Sequence, residues 1–544
     1  MRYDFDPNGF WGEERSGSTI IKESNKTLSL LFTTFASLFS RFTGLLTQVV
    51  TAWYLTPDDF GVYAIALGIT TFTLIMRGGG TGLIYQTLRP QEYASVGGGL
   101  VRIAIIFAFL GALFTLGAAL PAAGYYDQKS LAWVLVSMAV LAVFNHLSLY
   151  PRAKMASQLL FKQIALIDVF TSAVKLTVAF LLARNGWGAL TFVIAQICST
   201  ALQVILCSCW AKFQRDDFKV QPNWLAPTLA MIKYPFLLSV MITLTDQVDS
   251  FIASLFVPLA SLGVYYFSVS LAAQPIRLVA ATISSVLAPY AARARDNAML
   301  EKQSISSAFT SSIIFVPLLV LGIATIYPSL EKILWGEKWQ ESIWPVVLTS
   351  LFLVYPTVQS VLEGPLIGLR RWNLYLNLLS WRALSKVVGV LLAILVIKFY
   401  DLRDSSIAIT LVLGVGSLGT ISAYIQIRRV LSTFKVDREM YTFELIATPL
   451  YALLAVIGTE GLVSSILKPL ENNSEGFRVQ ALIEFALSLS IYSVISLVLL
   501  RFAYLKRLKI VIILLPTTLR KLLCKLIFIS ESDLNLSQIE IESN

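Results

Sequence analysis

Six basic residues, Arg41, Arg77, Lys175, Arg277, Arg382 and Lys386, stand inside long apolar runs of this 544-residue chain. A cation at the middle of a bilayer costs roughly 2.5–3.5 kcal/mol, so each must face water, meet an acid or reach a headgroup. Helical spacing sorts them. Thr34, Ser37, Arg41, Gly44 and Gln48 form one polar stripe with Arg41 at its centre. Tyr63, Thr70, Thr73, Arg77 and Thr81 form a second, and Tyr266, Ser270, Arg277 and Ser284 a third. Three helices that each present an arginine on a polar face can converge on a phosphate, because a guanidinium holds two of its oxygens at once. Arg77 and Arg277 lie nearer the inner ends of their runs and could instead simply reach the headgroups.

Asp168, Thr171 and Lys175 follow i, i+3, i+7 spacing, so the carboxylate and the ammonium either neutralise each other or serve transport. Arg382 and Lys386 are a like-charge i, i+4 pair, unfavourable unless water, an acid or an anionic ligand lies between them. They are assigned here to a cavity wall. In the run 228–257, Ser239, Thr243, Asp246, Gln247, Ser250 and Ser254 share a face, with Asp249 on its fringe. An intramembrane carboxylate can carry a proton or bind sodium. Asp246 therefore leads the ion-coupling candidates, ahead of Asp249 and Asp168, the alternative being a salt bridge to a first-half arginine. Glu363 and Glu484, near span ends, read as solvated. Gly78, Gly79 and Gly80 each weaken a helix by roughly 1 kcal/mol relative to alanine. They either permit bending during gating or let another helix pack close.

Nothing suggests catalysis or a metal. There is one histidine, His146, and Cys198, Cys207, Cys209 and Cys524 read as small buried hydrophobes. No nucleotide-binding motif is found, so no cofactor is expected and energy would come from an ion gradient, the membrane potential or downstream pull.

The elements that hold these charges must be membrane helices. The chain is 56% hydrophobic and only 14% charged, where a soluble domain has about 25% charged residues. The excess falls in runs of about 20 residues, the length that crosses a bilayer as a helix. The expected fold class is all-α integral membrane, with about 14 transmembrane helices in two pseudo-symmetric six-helix lobes plus two extra C-terminal helices. The expected segments are a cytoplasmic tail (1–26), a first lobe (27–211), a linker (212–227) and a second lobe (228–427). Two additional spans (441–504), an interfacial amphipathic helix (516–529) and an acidic disordered tail (530–544) follow. The polar start carries no cleavable signal, so the first span would act as an uncleaved insertion signal.

Alternating loops place 29 of the 43 lysines and arginines inside and 8 outside, which predicts both termini in the cytoplasm. The net charge of +10 then marks an anionic membrane leaflet and implies no nucleic acid. A repeat is also visible. Phe60-Gly61-Val62-Tyr63 recurs as Leu262-Gly263-Val264-Tyr265, and Arg77 and Arg277 fall two positions from the same register. Both helices run the same way, which predicts halves related by an axis along the membrane normal.

Leu55-Thr56-Pro57-Asp58-Asp59-Phe60-Gly61-Val62-Tyr63, then Gly82-Leu83-Ile84-Tyr85-Gln86, and Leu159-Leu160-Phe161-Lys162 resemble motifs of bacterial polysaccharide transporters. These share a superfamily with lipid-linked oligosaccharide flippases and multidrug antiporters. The resemblance, over roughly residues 28 to 430, implies a two-lobed cavity of alternating access in the bacterial inner membrane. It implies outward movement of an undecaprenyl-diphosphate-linked glycan, whose diphosphate suits the cationic stripes, with polysaccharide polymerase and export machinery as partners. A multidrug antiporter of the same fold would favour an acidic or aromatic cavity, whereas this interior holds more bases than deep acids. A membrane glycan polymerase or ligase would need a large external catalytic loop, and the longest here, about 460–479, offers nothing resembling a site.

Overall fold

The computed structural model describes residues 39–75, 92–158, 160–211, 224–295, 297–403, 405–436, 438–467 and 480–496, with a few single positions beside them. Among these residues there is no strand, and the helices fall where the apolar runs predict. They are α1 (39–54), α2 (Pro57–Ile75), α3 (Glu92–Tyr125), α4 (Lys129–Ser157), α5 (Phe161–Arg184) and α6 (Leu190–Trp210). Next come α7 (Leu225–Ser254), α8 (Leu259–Arg293), α9 (Ala298–Trp335), α10 (Ile343–Phe352), α11 (Val354–Gly368), α12 (Trp372–Phe399) and α13 (Ser405–Thr433). The last are α14 (Arg438–Leu467) and α15 (Gln480–Ser496). Seven described helices are long and apolar enough on their own to cross a bilayer. Residues 1–26, Arg77, Gly78, Gly79, Gly80, most of 212–227, 516–529 and 530–544 lie outside the described residues, as does the side chain of Arg277.

Local chemistry sets the helix ends. Thr56 and Asp59 cap α2 reciprocally: the Thr56 amide and hydroxyl both donate to Asp59 Oδ2 at 2.9 Å, and the Asp59 amide donates back to Thr56 Oγ1. Pro57 sits at the first helical position, where its missing N–H costs nothing. Asn297 caps α9 by accepting from the amides of Met299 and Leu300. The predicted single span 342–368 is instead two helices bent by 48° around Leu353. Pro356 has no N–H to offer the Phe352 carbonyl. That carbonyl takes the Thr420 hydroxyl of α13 at 2.9 Å instead, which stabilises the bend.

The helices pack as two lobes, α1–α6 and α7–α13, with α14 and α15 against the second. One buried cluster fills the second lobe around Phe309, Ile313, Val358 and Leu378. Another crosses the seam, joining Val62 and Ile65 of α2 to Ala253 of α7 and Leu262 and Val264 of α8. The repeated glycines meet in this seam. A Cβ on Gly61 would lie 2.3 Å from the Leu259 carbonyl oxygen, and one on Gly263 would lie 1.8 Å from the Pro57 carbonyl oxygen and 2.9 Å from the Gly61 amide. These obstacles are backbone and cannot swing aside, so the motif keeps glycine because two helix starts cross in contact there. Gly263→Ala is expected to push the seam open. Overpacking of roughly 1–3 kcal/mol shifts a two-state equilibrium by on the order of tenfold. In a cysteine-free background, impermeant maleimide should label Gln274→Cys from the seam side correspondingly faster. Unchanged labelling would rule the contact out as a seal.

Candidate functional site

The seam is closed at the end where α1 stops. The last turn of a helix leaves carbonyls without intrahelical partners, and here the end of α9 and the turn that follows it supply donors. Trp335 Nε1 donates to the Val49 oxygen at 3.2 Å, and Trp339 Nε1 to the Ala52 oxygen at 3.0 Å. Lys338 Nζ donates to the oxygens of Ala52 and Trp53 at 3.2 and 2.9 Å. Trp53 reciprocates through its indole to the Leu334 carbonyl. Glu331 holds the turn by accepting from the Trp339 amide at 2.9 Å. Behind it Phe267 stacks on Trp339 and Phe60 meets both edge-on, with ring centroids 4.1–5.3 Å apart. None of these donors stood out in the sequence, because a tryptophan near a span end reads simply as an interface anchor.

Just beyond this plug, Gln48 of α1 donates to the Ser270 hydroxyl of α8 at 2.7 Å and to the Phe267 carbonyl at 3.3 Å. Arg41 lies seven residues before Gln48, two helical turns away on nearly the same face. It is exposed. Arg277 occupies the matching place on α8, seven residues beyond Ser270.

Between these levels lies a cavity of about 140 Å³ shared by both lobes, lined by Gln48, Tyr63, Lys175, Tyr266, Ser270 and Gln274 among others. It shares Gly44, Thr47 and Lys175 with a second cavity of about 180 Å³ inside the first lobe, walled by Ser40, Thr171, Ser199, Thr200 and Gln203. Lys175 is thus the basic group common to two polar cavities, and among the described residues it has no ion-pair partner. Of the two alternatives open for Asp168 and Lys175, mutual neutralisation does not occur. Asp168 takes a two-pronged pair with Arg152 of α4, at 2.5 and 2.8 Å, because α4 passes close to the start of α5 whereas Lys175 stands two turns further along.

The second lobe treats its charges differently. Lys386 pairs with Asp249 at 3.3 Å, and the other Asp249 oxygen accepts from Tyr265 at 2.7 Å. Asp249, expected on the fringe, is 2% exposed and fully engaged. Arg382 pairs with Glu363 and donates from Nε to Gln359 at 3.3 Å, while Tyr375 donates to Glu363 at 3.4 Å. Glu363 is therefore a half-buried counter-ion and not the solvated group expected from its place near a span end. Arg382 and Lys386 do line a cavity, of about 200 Å³, together with Asp246, Tyr265 and Ser360. Asp246 has no ion pair among the described residues. The three described cysteines are free, and of them Cys207 alone is buried, against the expectation of buried thiols for Cys198 and Cys209. Cys198 and Cys209 lie exposed on α6.

Residues 50–344 match the family model described as "Polysaccharide biosynthesis protein". The chain belongs to that family. No curated protein matches this chain. Its fold resembles that of the lipid II flippase MurJ in an inward closed conformation, with TM-score 0.64 and 14% identity, covering 87% of this chain and 99% of MurJ. It also resembles the eukaryotic MATE transporter AtDTX14, with TM-score 0.52 and 14% identity over 85% of this chain and 99% of that one. An inward-facing multidrug resistance MATE family transporter of the MOP superfamily gives TM-score 0.50 and 16% identity over 74% and 96%. At these identities the likeness is one of fold. The family member is thus a multi-pass membrane protein with the two-lobed MurJ and MATE architecture.

Proposed function

We propose that this protein is a flippase that carries a diphosphate-linked oligosaccharide lipid, of the undecaprenyl type, from the cytoplasmic to the outer leaflet by alternating access. The observation that carries the reading is Lys175: a cation without an ion-pair partner among the described residues, lining both a cavity shared by the two lobes and an adjoining first-lobe cavity whose one carboxylate, Asp168, is engaged by Arg152. In the second lobe Arg382 and Lys386 are matched by Glu363 and Asp249, so the positive potential of the chamber is concentrated on the first lobe. Lys175 and Arg41 bind the phosphates there, the first as a point charge and the second through its planar fork. Arg277 stands at the corresponding level of α8. The plug at Trp335, Lys338 and Trp339 then closes the outer side, and the chamber loads from the cytoplasm.

Asp246 is the coupling carboxylate for a proton or a sodium ion, because Asp168 and Asp249 are already held by Arg152 and Lys386. The protein works in the bacterial inner membrane with both termini inside, ahead of the polymerase and export machinery that consume its product. A multidrug antiporter of the same fold suits these cavities less, since an organic cation would meet an unmatched ammonium. The test is complementation of a flippase-deficient strain at matched expression. Wild type restores glycan export, Arg41→Ala reduces it by at least about tenfold, the worth of a charge-assisted pair, and Asp246→Ala abolishes ion dependence. Drug resistance without restored glycan would replace the flippase with the antiporter.

A further inference from the structure

A second basic site lies apart from the seam. The start of α9, the turn between α11 and α12, and the end of α13 enclose a cleft of about 1070 Å³. Lys302, Arg370, Arg371 and Lys435 line it, against one carboxylate, Glu301. Arg371 donates to Glu301 at 2.9 Å, so that single acid is already engaged. The turn is braced rather than loose: Arg295 donates to the Gly368 carbonyl at 2.8 Å, and Arg371 lies over the Phe434 ring at 6.0 Å. Arg370 and Lys435 both adopt left-handed backbone, φ 54° and 52°. Such a conformation is costly for residues other than glycine and persists only where its surroundings enforce it. Both therefore hold fixed places at the rim.

Cations from three chain segments around one concavity focus a positive field more strongly than the same charges on a flat surface. Beside them stand exposed apolar side chains, Met299 at 65% and Trp372 at 38% exposure. An indole next to cations at the end of membrane helices is placed for the boundary between headgroups and acyl chains.

We infer that this cleft binds the phosphate of an anionic phospholipid of the adjoining leaflet, with Lys302 and Lys435 as its principal ligands and Met299 and Trp372 beside the first acyl carbons. The site is separate from the transport chamber, and its existence does not depend on the flippase reading.

The test uses the full chain in phosphatidylcholine nanodiscs doped with a photoreactive phosphatidylglycerol. Label is expected in the peptides around 298–302, 370–374 and 433–435. The double variant Lys302→Gln/Lys435→Gln should lower labelling of those peptides by on the order of tenfold, the worth of two near-surface cations. The charge-matched pair Lys162→Gln/Lys233→Gln, both exposed and outside the cleft, should leave labelling unchanged. Mapping on wild type alone keeps the inference testable if the double variant fails to fold. Label spread over the whole basic face, or equal loss in both variants, overturns it in favour of diffuse attraction. Displacement of the lipid by millimolar inorganic phosphate overturns the lipid as the source and leaves a free-anion site.

Discussion

Lys175→Gln is expected to abolish export of the lipid-linked glycan while leaving the protein in the membrane at normal abundance. The substitution removes one positive charge but keeps a polar side chain of similar length, so the cavity walls of Thr47, Thr171 and Gln196 remain supported. Because no carboxylate is paired with Lys175 among the described residues, removing it strands no buried acid. The usual penalty for breaking an ion pair does not apply. Loss would appear in transport and not in folding. Phosphate binding by an ammonium in a low-dielectric cavity is stronger than in water, and a drop of a hundredfold or so in export is expected, equivalent to about 3 kcal/mol of charge-assisted hydrogen bonding. Lys175→Arg should restore a measurable part. Full export by Lys175→Gln would show that the ammonium is structural and would remove the main support for the phosphate site.

The opposite behaviour is expected of Glu363→Ala. Arg382 and Glu363 are 18% and 17% exposed at their side chains, and deleting the acid leaves the guanidinium with Gln359 as its hydrogen-bond partner among the described residues. Breaking a fully buried pair from one side costs roughly 3–5 kcal/mol; this half-buried pair should cost less than that, and the purified protein should still unfold at a lower temperature and accumulate less well. The paired change Glu363→Met/Arg382→Met removes both charges together and should recover most of that stability. Its transport then reports whether Arg382 has any part beyond holding α12 to α11. If Glu363→Ala melts like wild type, the pair is solvated in the membrane and the second lobe's charges are not structural.

The contrast between these residues also explains what the sequence makes legible. Spans, their order and the repeat follow from run lengths and from periodicity, which are local properties. So does the α2 cap, since Thr56, Pro57 and Asp59 act within one turn. The stripe containing Arg41 and the i, i+3, i+7 set of Asp168 and Lys175 are readable for the same reason. Charge pairing is not. The partner of Lys386 is 137 positions away and that of Arg382 is 19 positions away on another helix, so spacing rules identify that an acid is needed without saying which. Asp168 shows the hazard directly, because the acid visible on its own helix face belongs to Arg152. The bend at Leu353 was hidden too. Pro345, Pro356 and Pro365 all occur in that stretch, and only the Thr420 hydroxyl on the Phe352 carbonyl reveals which of them breaks the helix. The plug at Trp335, Lys338 and Trp339 depends on where α1 ends in space, which no local pattern encodes.

The meeting of Gly61 with Gly263 has one more implication. A residue touching its own counterpart is the mark of an isologous interface, the kind formed by identical subunits around a dyad. The chain thus carries, fused in tandem, the self-complementary surface of a homodimer. Because the two copies occupy different positions of one chain, a mutation changes one side of the joint and leaves the other as it was, a freedom that a true homodimer lacks.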